Sequence, residues 1–184
     1  MNLLRKKKLE RCFVKFFSGF GFKNEQELFS DYLTDSQYAV GGFSYGAQKA
    51  LKYTLETTSR VDRLILLSPA FFNDKSMGFK RAQIHYYKLD KNAYLENFLS
   101  NTCYPSDIKI ENKYISKTTQ NELNDLLEFE WIEQDIKKII DKNIVVEVFL
   151  GEKDKIINSK AANDFFSKLA TTYLIKQTGH LLNV

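Results

Sequence analysis

At 184 residues, 43% hydrophobic and 14% aromatic, the chain has the size and apolar content of one globular domain with a substantial core, which excludes a disordered or collagen-like class. A net charge of +4 is too mild for a nucleic-acid binder, but it favours an acidic protein partner. No apolar run approaches the roughly 18 residues of a bilayer span, and Leu3-Leu4 ahead of Arg5-Lys6-Lys7-Lys8 lacks the apolar stretch of a secretory signal.

The expectation is therefore a cytoplasmic, monomeric protein without a membrane or nucleic-acid partner. Cys12 and Cys103 have neither paired nor metal-type spacing and read as small, reduced, partly buried residues. With only two histidines in the chain, no metal site and no cofactor are expected.

In chain order, 13–17 is a β-prone run that stops at Ser18-Gly19-Phe20-Gly21, a glycine-permitted loop, and 25–33 has the character of a short helix. A second strand is predicted over 38–41 and a helix over 47–57, with Ala47, Ala50, Leu51 and Leu55 available for one face. A third strand, Arg63 to Leu67, ends at Ser68-Pro69, where proline cannot supply a ladder N–H.

From 71 to 131 the sequence turns polar and helical, which reads as an inserted helical cap; over 79–89, Phe79, Ala82, Tyr86 and Leu89 fall on one helical face. Ile132, Ile136, Ile139 and Ile140 mark a helix leading into a β-branched strand at 144–150 that ends at Gly151. A helix over 161–169 and a strand over 172–176 follow. Strands alternating with helices predict an α/β fold with a mostly parallel sheet covered on both faces, in a single domain over 1–184.

Gly42-Phe43-Ser44-Tyr45-Gly46 lies between the second strand and the helix after it. A Gly-x-Ser-x-Gly pentad arises by chance in about one chain in twenty of this size, so its position carries the meaning. Between strand and helix, small flanking residues permit a strained turn that lifts a serine oxygen above the sheet.

A serine hydroxyl is a weak nucleophile at neutral pH and needs a histidine to take its proton and a carboxylate to orient that histidine. His180 follows the last predicted strand, whereas His85 sits within the polar cap helix, so His180 is the expected base. Asp154, just past a strand's C-terminal end, is favoured over Glu152 in the same loop. The order Ser44, Asp154, His180 is the α/β-hydrolase order.

Donors for a developing oxyanion are expected from the amide after the nucleophile, Tyr45, and from Phe20 in the loop after the first strand. Lys80, Arg81 and Lys88 are placed on the face opposite Phe79, Ala82, Tyr86 and Leu89, where a carrier or substrate would meet basic charge. Phe71, Phe72, Tyr86, Tyr87, Tyr94 and Phe98 form an aromatic cluster read as core packing.

Six segments occur in order: Phe16-Phe17-Ser18-Gly19-Phe20-Gly21-Phe22, the pentad, Leu66-Leu67-Ser68-Pro69, Phe79-Lys80-Arg81, the run from Glu147 to Asp154, and Gly179-His180-Leu181-Leu182. With them the chain resembles the short BioV-type pimeloyl-acyl carrier protein methyl ester esterases. The resemblance implies a compact α/β-hydrolase lacking the usual first strands, with Ser44, Asp154 and His180 as its triad. It also implies an acyl carrier protein as partner and hydrolysis of the pimeloyl methyl ester, which frees the pimeloyl group for biotin synthesis.

Against the general α/β-hydrolase pattern, the chain begins at what is usually the third strand, has Ser18 where His-Gly is common, and ends four residues after His180. A related carboxylesterase or acyl thioesterase, and a non-catalytic binding protein on the same fold, are the alternative readings.

Overall fold

The computed structural model describes residues 14–106 and 108–183; Cys12 and Phe13 lie outside them. Five strands, β1 (Lys15–Phe17), β2 (Ala39–Phe43), β3 (Arg63–Leu67), β4 (Val145–Gly151) and β5 (Thr171–Ile175), form one sheet in sequential order with every pair parallel. The expectation of a mostly parallel sheet is met in full.

Leu64 and Leu66 of β3 point into one hydrophobic cluster and Ile65 and Leu67 into the other, and all four are fully buried. A strand buried on both faces has no polar side to alternate with, which is why 64–67 reads as an unbroken apolar run. β2 continues two residues past its predicted end, because Gly42 and Phe43 pair with Leu66 and Leu67. The pentad thus begins inside the ladder.

The helices are α1 (Tyr45–Glu56), α2 (Met77–Leu89), α3 (Lys91–Cys103), α4 (Gln120–Glu128), α5 (Glu133–Ile140) and α6 (Ser159–Phe166). Ala47, Ala50 and Leu51 of α1, Ile136 and Ile139 of α5 and Ala162 and Phe166 of α6 share one cluster with Leu64, Leu66, Val146, Val148 and Leu150. Right-handed crossovers between strands added in one direction place the connecting helices on one face, as observed from β2 onward.

The other face is covered thinly, by Phe22, Phe29, Leu181 and Leu182 packed on Phe43, Ile65 and Leu67. Here the helix expected over 25–33 is instead a 3-10 turn, Glu25–Phe29, followed by further turns. Asn24 enters it at φ 56° without a side-chain cap, and the Phe29 ring is drawn onto Phe43 with centroids 4.7 Å apart.

Between β3 and α5, residues 71–131 contribute α2, α3 and α4. Ser76, Asp90 and Thr119 cap these helices with their side chains, and Thr119 forms a reciprocal capping box with Glu122. The predicted apolar stripe of α2 is corrected by the structure: Tyr86 is 56% and Leu89 73% exposed. The inward face runs instead through Phe79, Gln83, Ile84 and Tyr87. The helix is turned by about one residue, 100°, because Tyr87 is the aromatic that finds partners, packing edge-on against Tyr94 and sharing a hydrogen bond with the Thr118 hydroxyl (2.8 Å).

The two ends of the segment are tied to each other and to Ala70 just after β3. Asn73 Nδ2 donates to the Trp131 carbonyl (2.8 Å), the Trp131 N–H donates to Asn73 Oδ1 (3.0 Å), and the Trp131 indole N–H donates to the Ala70 carbonyl (2.9 Å). Replacing Asn73 with Ala removes a two-bond clamp and leaves the backbone of a buried Trp short of partners, a loss of about 2 kcal/mol. Urea denaturation should show this as a lower midpoint with an unchanged slope.

Candidate active site

Ser44 stands between β2 and α1 at φ 54° and ψ −116°, a conformation outside the ordinary allowed regions. Such a backbone costs on the order of 1–3 kcal/mol and persists only where its surroundings enforce it. Two backbone bonds do so: the Ser44 N–H donates to the Leu67 carbonyl (2.9 Å), and the Ala70 N–H donates to the Ser44 carbonyl (3.1 Å).

Close packing does the rest. A side chain at Gly46 would be driven into the Phe17 carbonyl at the end of β1, and one at Gly42 into the backbone of Gly46 and Ala47. The pentad glycines are therefore required by backbone-to-backbone contact, and the loop after β1 is held directly against the turn bearing Ser44.

His180 and Asp154 reach the serine from two loops at the C-terminal edge of the sheet. The loop after β4 and that after β5 are joined by the Lys153 N–H donating to the Thr178 carbonyl (2.8 Å) and the Glu152 N–H donating to Ile175 (3.0 Å). Asp154 Oδ1 accepts the N–H groups of Ile156 (2.7 Å) and Ile157 (3.1 Å), which leaves Oδ2 to accept from His180 Nδ1–H at 2.6 Å.

With Nδ1 carrying the proton, Nε2 presents a lone pair to the Ser44 hydroxyl 2.9 Å away. The side chains of His180 and Asp154 are fully buried, and Ser44 is 2% exposed. Glu152 is exposed in the turn and His85 is exposed on α2, so neither joins this row.

Phe43, the variable residue before the serine, packs its ring on His180 at 5.1 Å between centroids. The Tyr32 hydroxyl donates to the Leu182 carbonyl (2.8 Å) and anchors the chain just after His180. Neither role was legible in the sequence, because each depends on a contact between distant segments.

Ser18-Gly19-Phe20-Gly21 forms a tight turn closed by the Phe22 N–H donating to the Gly19 carbonyl (3.1 Å), with Gly21 at φ 75° where a side chain would be strained. Among the described residues the backbone amides of Phe20 and Tyr45 have no acceptor, and the Phe20 side chain lines the same cavity as Ser44. Glu25, fully buried, accepts the Gly19 N–H at 2.7 Å. Its pattern in the sequence was only that of a polar residue opening a short helix.

The cavity over Ser44 has a volume of about 250 Å³. Phe72, Phe79, Phe98 and Leu127 supply apolar wall, while Gln83, Asn97, Asn101 and Lys155 add a polar girdle that the sequence did not reveal. Tyr94 also lines it and donates to Gln83 Oε1 (3.1 Å); burial pushes its phenol up to about 12, so it stays a donor at neutral pH. Of the aromatic cluster, Phe72, Tyr94 and Phe98 reach the cavity, Phe71 and Tyr87 stay in the core and Tyr86 is exposed.

Lys80, Arg81 and Lys88 line a separate surface groove between α2 and α4 together with Ile84, Asn124 and Glu128. Leu127 borders both the groove and the Ser44 cavity. None of the three basic side chains has an ion-pair partner among the described residues.

Among the described residues no group of three or more His, Cys, Asp and Glu side chains converges as a metal site would require, and no helix is long and apolar enough to cross a membrane. Cys103 is a free, half-buried thiol whose pKa is pushed up by burial.

No protein-family model matches the chain, and no curated protein matches it by sequence. Solved structures do. The naproxen esterase (carboxylesterase NP) of Bacillus subtilis aligns at 16% identity with a TM-score of 0.55, covering 78% of this chain and 53% of the esterase. This chain therefore spans about half the length of that carboxylesterase.

MenH from S. aureus (15% identity, TM-score 0.57) aligns over 91% of this chain and 87% of its own. BioG from Haemophilus influenzae (13% identity, TM-score 0.56) aligns over 91% and 88%. These likenesses, with the parallel sheet and the turn at Ser44, establish an α/β-hydrolase fold in compact form.

Glu25 also makes a prediction about stability. Burial, the largest influence, raises its carboxyl above the ordinary 4.5, and the bond from the Gly19 amide, the nearby Glu25 amide and Ser18 hydroxyl and the charge of Lys49 offset only part of this. Between the unfolded and the raised native value the native state holds the extra proton. The contribution is thus fully present below the unfolded value and is lost as pH rises through the raised one. Urea midpoints measured from pH 4 upward should fall in the wild type relative to Glu25→Gln; a difference that is flat or opposite in sign contradicts the assignment.

Proposed function

We propose that this protein is a serine esterase in which Ser44 is the nucleophile, His180 the general base and acid, and Asp154 the group that orients and charges His180. The observation that carries the reading is the continuous buried row of hydrogen bonds from Asp154 through His180 to Ser44, ending at an apolar cavity. The shared fold with carboxylesterases is consistent with it.

The chemistry follows from the geometry. Ser44 Oγ forms a bond to the ester carbonyl carbon as its proton passes to His180 Nε2, and the carbonyl oxygen becomes an oxyanion facing the amides of Phe20 and Tyr45. Collapse breaks the bond to the alcohol oxygen, which leaves with the proton from His180. Water then gives one proton to His180 and adds its hydroxide to the acyl carbon; the second collapse returns the proton to Ser44 and frees the carboxylic acid, which ionises to solvent. Phe43 against one face of the imidazole and Asp154 at Nδ1 hold His180 in place through both halves.

For the substrate we take the methyl ester of pimeloyl-acyl carrier protein, as the sequence resemblance implies. A cavity with apolar walls suits a methylene chain, the girdle of Gln83, Asn97 and Asn101 suits a polar linker, and the groove of Lys80, Arg81 and Lys88 suits an acidic carrier. Hydrolysis releases methanol and leaves the carrier thioester intact for biotin synthesis.

Replacing either Ser44 or His180 with Ala should lower kcat by several orders of magnitude, with the double variant little worse than either alone, because the two act as one unit. Comparing release of methanol with release of carrier thiol from one carrier-bound substrate decides between esterase and thioesterase. Full activity in Ser44→Ala would overturn the mechanism.

Carrier docking has its own test. Exposed charges act mainly on encounter and are screened over about 8 Å at physiological ionic strength. Changing Lys80 and Arg81 together to Glu should raise KM for the carrier-bound ester and remove its salt dependence, with little effect on a small soluble ester. Equal damage to both substrates would assign these residues to the fold, and no effect on either would place the carrier elsewhere.

A further inference from the structure

Glu25 is fully buried yet carries an acid, and the chemistry at Ser44 makes no direct use of it. Oε1 takes the Gly19 N–H at 2.7 Å, while Oε2 has no hydrogen-bond partner among the described residues. The charged groups bearing on it are few: Lys49 of α1 acts on Glu25 directly, and Glu122 and Asp125 of α4 act on Lys49. An acid kept in such a place costs stability unless the bond it makes matters.

That bond falls on the residue before Phe20. Gly19 has no side chain to restrain its backbone, but it is pinned at both ends, its N–H by Glu25 and its carbonyl by the Phe22 N–H (3.1 Å). Because a trans peptide sets N–H and C=O in opposite directions, fixing the Gly19 carbonyl fixes where the Phe20 N–H points. On its other side Gly19 abuts the Phe43 ring, where an added Cβ would lie 2.8 Å from Cδ1, and Phe43 in turn packs on His180.

We propose that Glu25 is a positioning residue for acyl transfer, holding the Gly19 N–H so that the turn presents the Phe20 amide to the oxyanion formed at Ser44. The assignment rests on the esterase reading above. It separates two neighbouring amides by role: that of Gly19 is satisfied inside the protein, and that of Phe20 is left for the substrate.

The test uses the full chain and a short p-nitrophenyl ester, with active sites counted by stoichiometric phosphonate labelling of Ser44. Glu25→Ala should lower kcat per active site by about tenfold or more with KM little changed, since one oxyanion donor is commonly worth a hundredfold or more. Glu25→Gln keeps an acceptor oxygen for Gly19 and should stay within about threefold of wild type. Wild-type kcat in Glu25→Ala, or an equal loss in both variants, overturns the proposal.

If Glu25→Ala does not fold, the Gln variant and the wild-type Gly19 amide proton decide. In nuclear magnetic resonance spectra the Gly19 signal should move with the titration of Glu25 and stay flat in Glu25→Gln; a signal flat in both overturns the contact. Wild-type protein with neither ester turnover nor Ser44 labelling would overturn the esterase reading itself, a result distinct from any of these.

Discussion

A serine at positive φ between a strand and a helix survives only where the backbone around it closes without side chains in the way, and the approach of Gly46 to the end of β1 meets that condition. The contact has two consequences. It lets α1 start at once after Ser44, and it brings the loop after β1, with Phe20, to the same cavity as the serine. The remaining parts of the site arrive from the far side of the turn, carried by the loops after β4 and β5, so the parallel sheet fixes the distances between groups far apart in sequence.

Aromatic and aliphatic side chains share the cavity wall with Gln83, Asn97, Asn101 and Lys155, while the buried polar groups behind it make hydrogen bonds. Asp154 spends one oxygen on two backbone amides and the other on His180. Gln48 of α1 donates to the carbonyls of Ala70 and Leu126, tying the helix after Ser44 to α4 above it. Buried groups of this kind interact more strongly than they would in water. The inserted helices thus serve as wall as well as cover.

Residues 71–131 also divide charge from chemistry. One side of α2 gives Phe79 and Gln83 to the cavity, and an adjoining strip gives Lys80, Arg81, Ile84 and Lys88 to the outer groove. Phe79 and Lys80, like Gln83 and Ile84, are consecutive residues about 100° apart, so the two strips run side by side along α2. The basic residues adjoin the inward face of α2 and share Ile84 with it, instead of lying opposite an apolar stripe.

What the sequence by itself determined was the part governed by local rules. Period and composition located all five strands and the helical stretch between β3 and α5, and the pentad between strand and helix singled out Ser44. Position after a strand selected Asp154 and His180 over Glu152 and His85. Tertiary structure decided the rest. Whether 25–33 continued as a helix depended on where Phe29 could pack, and the face α2 turns inward depended on Tyr87 meeting Tyr94 and Thr118. Glu25, Phe43 and the amide girdle of the cavity were invisible for the same reason: a local pattern records what a residue does to its own segment. What these residues do is touch segments brought close only when the sheet assembles.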